Sequence, residues 1–272
     1  MKLSIVTINY NNIDGLKKTV ESVVSQTNHE FEYIIVDGAS TDGGAEYLKE
    51  IGDKSYPFAL KWISEKDTGI YNAMNKGVRM AKGEYVLMLN SGDYLVASDV
   101  LDRVFAARPQ ADIVCAKCNV SDNGVVVWTS NPPKFVTLST LYFGGLAHQS
   151  TFIRKCLFSR LGLYREDFRY NSDIEFWYRS IILGGASTEN VDVVLTDYNL
   201  EGISSKEHTN KQYKDEIAAI LSNPILQRCI PDYDVWAREK RELAEYKWIN
   251  KHPLLRKLLR IDYKIRKRLN IL

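Results

Sequence analysis

The sequence predicts an α/β fold, in which a mostly parallel sheet with flanking helices is followed by a C-terminal helical extension. Two observations predict this class. Four short apolar runs alternate with helix-like patterns over roughly the first 110 residues. From residue 210 onward the pattern is helical and is interrupted by prolines. We expect one domain over residues 1–205, with halves at 1–110 and 111–205, and an extension over 206–272.

Each predicted strand of the first half is a short apolar run, as expected for parallel strands buried on both faces. The runs are LSIVTINY (3–10), YIIVD (33–37), LKWIS (60–64) and YVLML (85–89). Apolar residues at every third or fourth position predict helices over 14–26, 43–51, 70–81 and 99–107. Ser40, Thr41 or Asp42 is expected to cap the second helix, and Ser98 the fourth. Because a helix separates consecutive strands, we expect the strands to be parallel.

The second half has a less regular pattern. Residues 113–129 are predicted to form two strands joined by a turn at residues 121–124, because the Asn-Gly pair there favours a hairpin. Cys115 and Cys118 lie in the first of these strands, three positions apart and therefore on opposite faces. We expect them to be buried structural thiols and not a redox pair or half of a zinc site. Short elements are expected to follow to about residue 200.

The composition excludes several classes of protein. The chain has 272 residues, of which 45% are hydrophobic and 26% charged, with a formal net charge of +2 and four cysteines. This average composition excludes a disordered, collagen-like or disulfide-stapled protein. No apolar run approaches the roughly 20 residues that cross a bilayer, and the N-terminus lacks a signal-peptide pattern. We therefore expect the protein in the cytoplasm.

Polar side chains follow the predicted strands where each strand ends. Asp37 follows the second strand, Glu65 and Asp67 the third, and Asn90 and Asp93 the fourth. The carboxyl ends of parallel strands form one edge of a sheet, at which ligands bind. Carboxylates that converge there repel one another unless a cation lies among them, and oxygen ligands suit Mg²⁺ or Mn²⁺. Each acid taken alone can equally cap the helix that follows it.

Several motifs are missing from the sequence. It contains no GxxxxGK(S/T), no GxGxxG after the first strand, no GxSxG and no HExxH. The absence of these motifs argues against a P-loop NTPase, a dinucleotide-dependent enzyme, a serine hydrolase of the elbow type and a zinc protease.

Three ordered segments carry a resemblance to a known family. SIVTINYNN, IIVDGASTDGG and SEKDTGIYNAMNKGVRMAKGEYVLMLNSGD together resemble the family 2 glycosyltransferases, which have the nucleotide-sugar-binding GT-A fold. The similarity covers roughly residues 1–200, is dense over 1–95 and is greatest to the bacterial branch that builds surface polysaccharides. It implies transfer of a sugar from a nucleotide donor, a UDP-sugar, to a hydroxyl of a saccharide or lipid-linked saccharide acceptor, with inversion.

The resemblance also implies roles for individual residues on the donor side. Tyr10 matches an aromatic position beside the nucleobase, with a strand-end aromatic in the core as the alternative. Asp37 matches a carboxylate that accepts a hydrogen bond from the base. Asp67 matches an acid near the ribose or diphosphate, and Asn90 is included among the residues that bind the nucleotide sugar.

The expected metal motif departs from the family pattern. Most relatives carry Asp-x-Asp followed by a further acidic or amide residue, whereas this chain has Asn90-Ser91-Gly92-Asp93. Asp93 is therefore the single carboxylate expected to hold Mn²⁺ or Mg²⁺, an arrangement that works when diphosphate oxygens supply further ligands. Strict dependence on a metal is left open by this departure.

The remaining roles fall in the second half. In YNSDIEFWYR (170–179) the resemblance implies that Asp173 is the base that deprotonates the acceptor hydroxyl. Glu175 is the alternative base, although its position two residues later points elsewhere on a helix. The resemblance further implies contact of His148 with the diphosphate, with a purely structural histidine as the alternative. His208 lies in a polar stretch that is typical of a mobile loop closing over a donor.

The C-terminal tail is basic and amphipathic. Residues 246–272 contain nine Lys or Arg and one acid, and apolar residues recur at 254, 258, 261, 265, 269 and 272. Such a helix binds anionic lipid, so we expect peripheral contact of residues 253–272 with the inner face of the cell membrane. A helix docked on the body of the protein or a dimer contact are the alternatives. Nucleic acid is not expected as a partner, because no recognition motif accompanies the charge.

Two other functions are compatible with this architecture. A sugar nucleotidyltransferase needs a Gly-rich, basic loop after the first strand, and residues 9–12 offer neither feature. The metal motif, which has only one carboxylate, is also compatible with a non-catalytic, membrane-bound subunit that binds sugar nucleotides.

Overall fold

The computed structural model describes residues 2–122, 124–199 and 210–268. It divides into two compact units, Met1–Ile220 and Leu221–Leu272. The strands are β1 (Leu3–Asn9), β2 (Phe31–Asp37), β3 (Ala59–Ser64), β4 (Tyr85–Met88), β5 (Tyr94–Leu95), β6 (Ile113–Asp122), β7 (Val125–Thr129), β8 (Thr151–Arg154) and β9 (Thr188–Asn199).

The helices follow the pattern predicted for the first half. Those of the first unit are α1 (Ile13–Val24), α2 (Gly44–Gly52), α3 (Ile70–Met80), α4 (Val100–Ala106), α5 (Leu138–Phe143), α6 (Cys156–Leu161), α7 (Ser172–Trp177) and α8 (Lys211–Leu221). Helix α7 continues as a π-helix over Tyr178–Leu183. The second unit contains α9 (Ile230–Asn250) and α10 (Pro253–Arg268). Two of the three prolines in this region thus lie in the first turn of a helix, where a missing N–H costs nothing. Within the described residues, no helix is both long and apolar enough to span a membrane.

The strands form a single mixed sheet in the order β3-β2-β1-β4-β8-β6-β9-β5, with β7 on β6. The strands β1 to β4 are mutually parallel, as predicted. The second half is mixed, because β6 pairs parallel with β9 whereas β8 pairs antiparallel with both β4 and β6. The predicted hairpin of β6 and β7 is confirmed, with its turn residue Asn123 outside the described residues.

The register of the parallel strands decides which side chains meet at the site. Asn9 pairs with Asp37 across β1 and β2, and Asp37 pairs with Ser64 across β2 and β3. All seven residues of β1 are buried, because helices cover both faces of this part of the sheet. Three polar side chains therefore end neighbouring strands at one edge, the edge at which parallel sheets bind ligands.

Helix α3 lies unusually close to β1. A Cβ atom on Gly77 would stand 2.2 Å from Cγ1 of Val6, so only glycine allows this approach. The close packing fixes the position of α3, whose first turn carries Tyr71 toward the site.

Two local expectations were wrong and one was confirmed. The residue before α4 is Asp99, not Ser98, and no side chain caps that helix. The residue before α2 is Gly43, not one of the three expected caps, and no side chain caps the helix, although Asp42 accepts from the Gly44 N–H at 3.1 Å. Cys115 and Cys118 are buried free thiols, and burial raises the pKa of Cys118 to about 11. Both are therefore unreactive at neutral pH.

The division between the units falls at residues 220/221, and the expected domain boundary at 205/206 stays a prediction. The first turns of α8 belong with the first unit because Glu216 on this helix is buried and hydrogen-bonds to the backbone of residues 169–171.

Candidate functional site

Asp37 ties together the ends of β1, β2 and β3. Its side chain is 0% exposed. Its Oδ1 accepts from Nδ2 of Asn9 at 2.8 Å and from Oγ of Ser40 at 2.5 Å, and its Oδ2 accepts from the Ser40 N–H at 3.0 Å and Oγ of Ser64 at 2.6 Å. A carboxylate accepts about four hydrogen bonds, so these donors fill its capacity. The predicted bond from Asp37 to a base remains a prediction, and in this conformation one of the four donors would have to give way to it.

The charge on Asp37 is stabilised by these donors. Burial alone would raise the pKa of this carboxyl, but the hydrogen bonds from Ser40, Ser64 and Asn9 outweigh burial and hold the pKa below its usual value. Asp37 is therefore ionised at neutral pH and fixes the backbone of the loop that follows β2.

The loop after β4 is held against the start of α1. The hydroxyl of Thr19 donates to the Asp93 carbonyl at 2.7 Å and accepts from the Gly92 N–H at 3.0 Å. The side-chain amide of Asn12 donates to the Ser91 carbonyl at 3.1 Å. Gly92 has φ of +106°, which favours glycine at this turn. These contacts fix the predicted Asn90–Asp93 motif beside the loop that follows β1.

Asp93 is buried in this loop, with only 7% of its surface exposed. Burial raises the pKa of Asp93 to about 7, and the neighbouring charge of Asp197 acts in the same direction, whereas His148 opposes them. A cation beside the carboxylate would remove this penalty on its charged form.

The oxygen atoms near Asp93 make up only part of the ligand set that a hard cation needs. The Oδ1 atom of Asn90 is buried without a hydrogen-bond partner, and amide and carboxylate oxygens are ligands that Mg²⁺ and Mn²⁺ accept. No group of three or more His, Cys, Asp or Glu side chains with metal-binding geometry occurs in the described part of the chain. The predicted role of Asp93 as a metal ligand therefore remains a prediction, and a cation there would need further ligands from a substrate.

His148 connects this loop to the second half of the molecule. It lies in a short 3₁₀ turn, His148–Ser150, directly before β8. Its Nε2 is 3.1 Å from Nδ2 of Asn90, and its Nδ1 is 3.4 Å from Oδ2 of Asp173. The predicted contact of His148 with a diphosphate remains a prediction, and the structure adds a contact with Asp173 that the sequence did not indicate.

Asp173 lies in the first turn of α7, between His148 and the hydroxyl of Tyr71. The Tyr71 hydroxyl is 3.0 Å from Oδ1 of Asp173 and 2.8 Å from the Tyr170 carbonyl. Burial alone would raise the pKa of Asp173, but the hydrogen bond and the charge of His148, with a smaller contribution from Tyr71, hold it below its usual value. Burial lowers the pKa of His148, and the contact with Asp173 outweighs that effect and raises it. The arrangement provides an ionised, fixed carboxylate beside an imidazole.

Glu175, the alternative base, faces a different partner. Its carboxylate accepts from Nε and Nη2 of Arg179 at 2.8 to 3.1 Å, four residues later on the same helical segment. Arg179 also donates to the carbonyls of residues 162 and 163. Glu175 therefore has a structural contact that accounts for its presence, and Asp173 is the better candidate for the base.

The donor side of the rim carries Tyr10 and Asp67. Tyr10 is 70% exposed, so the alternative of a core aromatic is wrong. Oδ1 of Asp67 pairs with Nζ of Lys76 at 2.6 Å, and Oε1 of Glu65 lies 2.8 Å from the same nitrogen. A Cβ atom on Gly38 would stand 3.1 Å from both Tyr10 and Asp67, so the two side chains flank a glycine at the end of β2.

Sequence reasoning missed several residues that hold this site. Tyr71 and Lys76 lie within the quoted IYNAMNKG motif but were given no role. Ser64 ends β3, and the pairing of strand ends is the signal that would have linked it to Asp37. Glu216 lies in a region without a motif. His208 lies outside the described residues.

Comparison with known proteins identifies the family. The model of Glycosyl transferase family 2 matches residues 4–168, more than half of the chain. A glycosyltransferase of Mycobacterium tuberculosis is 28% identical over 227 residues, which cover 78% of this chain and 80% of the relative. A PGL/p-HBAD biosynthesis glycosyltransferase of the same species is 28% identical over 210 residues, covering 73% of this chain and 77% of the relative.

Solved structures show the same fold. TarS of S. aureus (residues 1–349) in complex with UDP-GlcNAc matches with a TM-score of 0.60 and 21% identity, covering 73% of this chain and 58% of that chain. The mannosyltransferase PcManGT of Pyrobaculum calidifontis, in complex with GDP-Man and Mn²⁺, matches with a TM-score of 0.60 and 15% identity, covering 94% and 82%. This chain thus spans less than two thirds of that TarS chain.

The first unit combines a parallel half-sheet, a polar rim at its carboxyl edge and the Asp173 carboxylate in the first turn of α7. The same fold occurs in the glycosyltransferase structures, and the family model covers the sheet from β1 to β8. The chain belongs to glycosyl transferase family 2 and is a glycosyltransferase with the GT-A fold.

Proposed function

We propose that this glycosyltransferase moves a sugar from a UDP-sugar to a hydroxyl group of a saccharide or lipid-linked saccharide, with inversion, in bacterial surface-polysaccharide synthesis. The observation that carries the proposal is the position of Asp173, which lies beside His148 and is linked through it to Asn90 on the donor rim. The complexes of TarS with UDP and UDP-GlcNAc support UDP as the nucleotide. The family match favours sugar transfer over the nucleotidyl transfer that the architecture alone permits.

Asp173 is the proposed base. Its pKa lies below the usual value, so the carboxylate is ionised at neutral pH and able to accept a proton. The acceptor oxygen forms a bond to the anomeric carbon on the face opposite the diphosphate, and its proton moves to Asp173. The bond from the anomeric carbon to the diphosphate oxygen breaks, and the electron pair leaves with the diphosphate. One displacement of this kind inverts the configuration at that carbon.

The donor is proposed to lie along the rim of β1 to β4. The exposed ring of Tyr10 offers a flat apolar surface to a nucleobase, and Asp67 lies beside it near the ribose or diphosphate. Asp37 supports this region by fixing the loop after β2 through its four hydrogen bonds. Asn90, which follows β4, has a buried side-chain oxygen without a hydrogen-bond partner, and we propose that it accepts from the donor.

A divalent cation, Mn²⁺ or Mg²⁺, is proposed to be held by Asp93. Mn²⁺ accompanies GDP-Man in the PcManGT structure, which supports a cation in this fold. When bound, the cation would neutralise charge on the departing diphosphate and orient it. Asp93 would then carry its charge without the burial penalty that raises its pKa to about 7.

We propose that α10 binds the inner surface of the cell membrane. Leu254 and Leu258 are 79% and 61% exposed, and Leu255, Leu259 and Ile261 are exposed as well. Basic residues at 256, 257, 260, 264, 266 and 267 share this helix with one acid, Asp262. Exposed leucines with surrounding cations suit an anionic lipid surface.

Sedimentation with phosphatidylglycerol vesicles should carry the protein down, and neutral phosphatidylcholine vesicles should not. Equal sedimentation of a Leu254→Asp/Leu258→Asp variant would refute this role.

The transfer proposal is tested by replacing Asp173. A panel of UDP-sugars is screened with Mn²⁺ for UDP release, first by slow hydrolysis and then with saccharide acceptors. Asp173→Asn should abolish turnover but leave UDP affinity within about twofold, since the base does not contact the nucleotide in the proposed arrangement. The matched control is Asp167→Asn, whose exposed carboxylate pairs with Arg165 nearby. Unchanged turnover in Asp173→Asn would remove the base assignment, and UDP binding without any turnover in the native protein would favour a non-catalytic subunit.

A further inference from the structure

Glu216 is a buried carboxylate outside the segment that matches the family model. It lies on α8 with 5% of its surface exposed. Its carboxylate accepts from three consecutive backbone N–H groups, at 2.7 Å from Arg169 and 3.0 Å from both Tyr170 and Asn171. It also accepts from the side-chain amides of Asn171 at 3.1 Å and Gln212 at 3.3 Å. Successive backbone N–H groups can converge on one anion, and here that anion is the Glu216 carboxylate.

The backbone that Glu216 holds leads directly into the proposed base. Residues 169–171 immediately precede α7, and Asp173 is the second residue of that helix. The Tyr170 carbonyl contacts the hydroxyl of Tyr71 at 2.8 Å, and the same hydroxyl lies 3.0 Å from Asp173. The carbonyl of Asn171 accepts the first helical hydrogen bond of α7, from the Glu175 N–H at 2.9 Å. Movement of this backbone would therefore displace both Asp173 and the tyrosine that contacts it.

The hydrogen bonds of Asn171 also indicate that the backbone before α7 is attached to α8. It occupies the N-cap position of α7, where an asparagine side chain usually accepts from the helix backbone. Here its amide donates instead to Glu216 and to the Tyr213 carbonyl at 3.1 Å, and its Oδ1 is buried without a partner. The usual cap is thus replaced by an attachment to α8.

We propose that Glu216 is a positioning residue for Asp173. By fixing the backbone of residues 169–171, Glu216 holds the Asp173 carboxylate in place for the reaction. The inference rests on the proposed role of Asp173 as the base. It goes beyond that role because it makes α8, which comes from the C-terminal part of the chain, a support of the reaction centre. A carboxylate is required here, since an amide at the same place has one oxygen and turns two N–H groups toward donors.

The test compares Glu216→Gln with a matched control, Glu32→Gln. Glu32 likewise accepts from a backbone N–H, that of Gly83 at 3.2 Å, and from the Ser4 hydroxyl at 2.7 Å, but it lies on β2 at the end of the sheet opposite the rim. Both variants should melt at lower temperature than the native protein. Glu216→Gln should lower kcat for UDP-sugar turnover by about tenfold to a hundredfold with UDP affinity within about twofold, because the base is misplaced and the donor rim is not. Glu32→Gln should keep its kcat.

A second readout does not depend on turnover. The chain has four histidines, so the imidazole N–H protons can be assigned by ¹H NMR with a His148→Gln variant. The Nδ1 proton of His148, which lies beside Asp173, should give a downfield, exchange-protected signal at a fixed pH. That signal should be lost or broadened in Glu216→Gln and retained in Glu32→Gln.

The outcomes separate the two proposals. A lost His148 signal with no turnover in any protein would support the positioning role and count against the proposed transfer reaction. A Glu216→Gln protein that keeps both the signal and kcat would overturn the positioning role and leave Asp173 as the base. A native protein without the protected signal would also overturn it, because the contact of Asp173 with His148 is the geometry that Glu216 is proposed to hold.

Discussion

Replacing Asp37 should weaken the fold and the nucleotide site together, to a degree that depends on the substituent. Asp37→Ala removes the acceptor of four hydrogen bonds. The Ser40 and Ser64 hydroxyls can turn toward other acceptors or the rim. The Ser40 backbone N–H loses its acceptor, and the side-chain amide of Asn9 keeps only the Ser40 hydroxyl at 3.2 Å, so one buried N–H of each group is left without an acceptor. At about 1–3 kcal/mol for each buried donor left unpaired, the loss is about 2–6 kcal/mol.

Asp37→Asn should cost less, about 1–2 kcal/mol, because the structure holds a ready compensation. Oδ1 of Asn9 is buried and lacks a hydrogen-bond partner. Rotation of the Asn9 amide by 180° would present that oxygen to the new amide group at position 37. The substitution then exchanges charge-assisted bonds for neutral ones and leaves only the rotated amide group of Asn9 without an acceptor, whereas Asp37→Ala leaves N–H groups of both Asn9 and Ser40 unpaired.

The effect should depend on pH in a defined direction. Because the pKa of Asp37 is lowered in the folded protein, its contribution to stability is complete above the unfolded-state pKa of about 3.9. The contribution is lost as the pH falls through the folded-state pKa. The difference in unfolding free energy between the native protein and Asp37→Asn should therefore be constant near neutral pH and should shrink below about pH 4.

Urea unfolding measures the free energies, and titration calorimetry measures UDP affinity. Asp53→Ala, at an exposed carboxylate after α2, is the control and should change stability by less than about 0.5 kcal/mol. UDP should bind more weakly to Asp37→Ala, since the loop after β2 loses its support. A loss below about 1 kcal/mol in Asp37→Ala would refute the calculation from hydrogen bonds. Native stability with abolished UDP binding in Asp37→Asn would instead indicate direct contact of this carboxylate with the base.

Three further changes test other parts of the site. Asp93→Asn should raise the melting temperature of the metal-free protein more at pH 8 than at pH 5, because the cost of a carboxyl with a pKa of about 7 in the fold grows as the pH rises from its unfolded-state pKa of about 3.9 to about 7 and then reaches at most about 4 kcal/mol; an equal shift at both pH values would contradict this. Gly77→Ala should lower the unfolding free energy by at least about 1–3 kcal/mol, since its Cβ would stand 2.2 Å from a β1 side chain, and Gly145→Ala, with no atom within 4 Å, is the control. Tyr71→Phe should move the acidic limb of the pH–rate profile to higher pH, because the tyrosine helps to lower the pKa of Asp173; an unmoved limb would remove that contact from the mechanism.

The parallel half of the sheet was predictable because its physical cause is local. Strands buried on both faces need consecutive apolar residues, and all seven residues of β1 are buried. The mixed half was not predictable in the same way. Strand β8 has four residues and pairs with β4 and β6, which lie far from it in the sequence, and β5 has two residues. Such pairings depend on tertiary contacts that no local pattern encodes.

Candidate residues of the site could be named from the sequence, and their roles stay predictions, but the contacts among them could not be predicted. The sequence indicated His148 and Asp173 separately, yet their 3.4 Å approach joins two elements that are 25 positions apart. The strand-end acids were expected to converge on a cation. The structure instead gives each of them a different environment. The carboxylate of Asp37 accepts hydrogen bonds at both oxygens, and Asp67 forms an ion pair with Lys76. Asp93 is buried, and burial disfavours its ionised form. Only the fold determines which neighbours reach each carboxylate.

The attachment of α8 to residues 169–171 has a consequence for building chimeric enzymes from this family. A junction placed at the end of the matched segment, after residue 168, would exchange Asp173 and Glu216 together and keep them as a native pair. A junction between residues 174 and 215 would combine the carboxylate of one parent with the supporting helix of another. Hybrids with exchanged acceptor preference should therefore remain active with crossovers before 169 or after 220, and crossovers inside that interval should yield folded proteins that bind donor and turn over poorly.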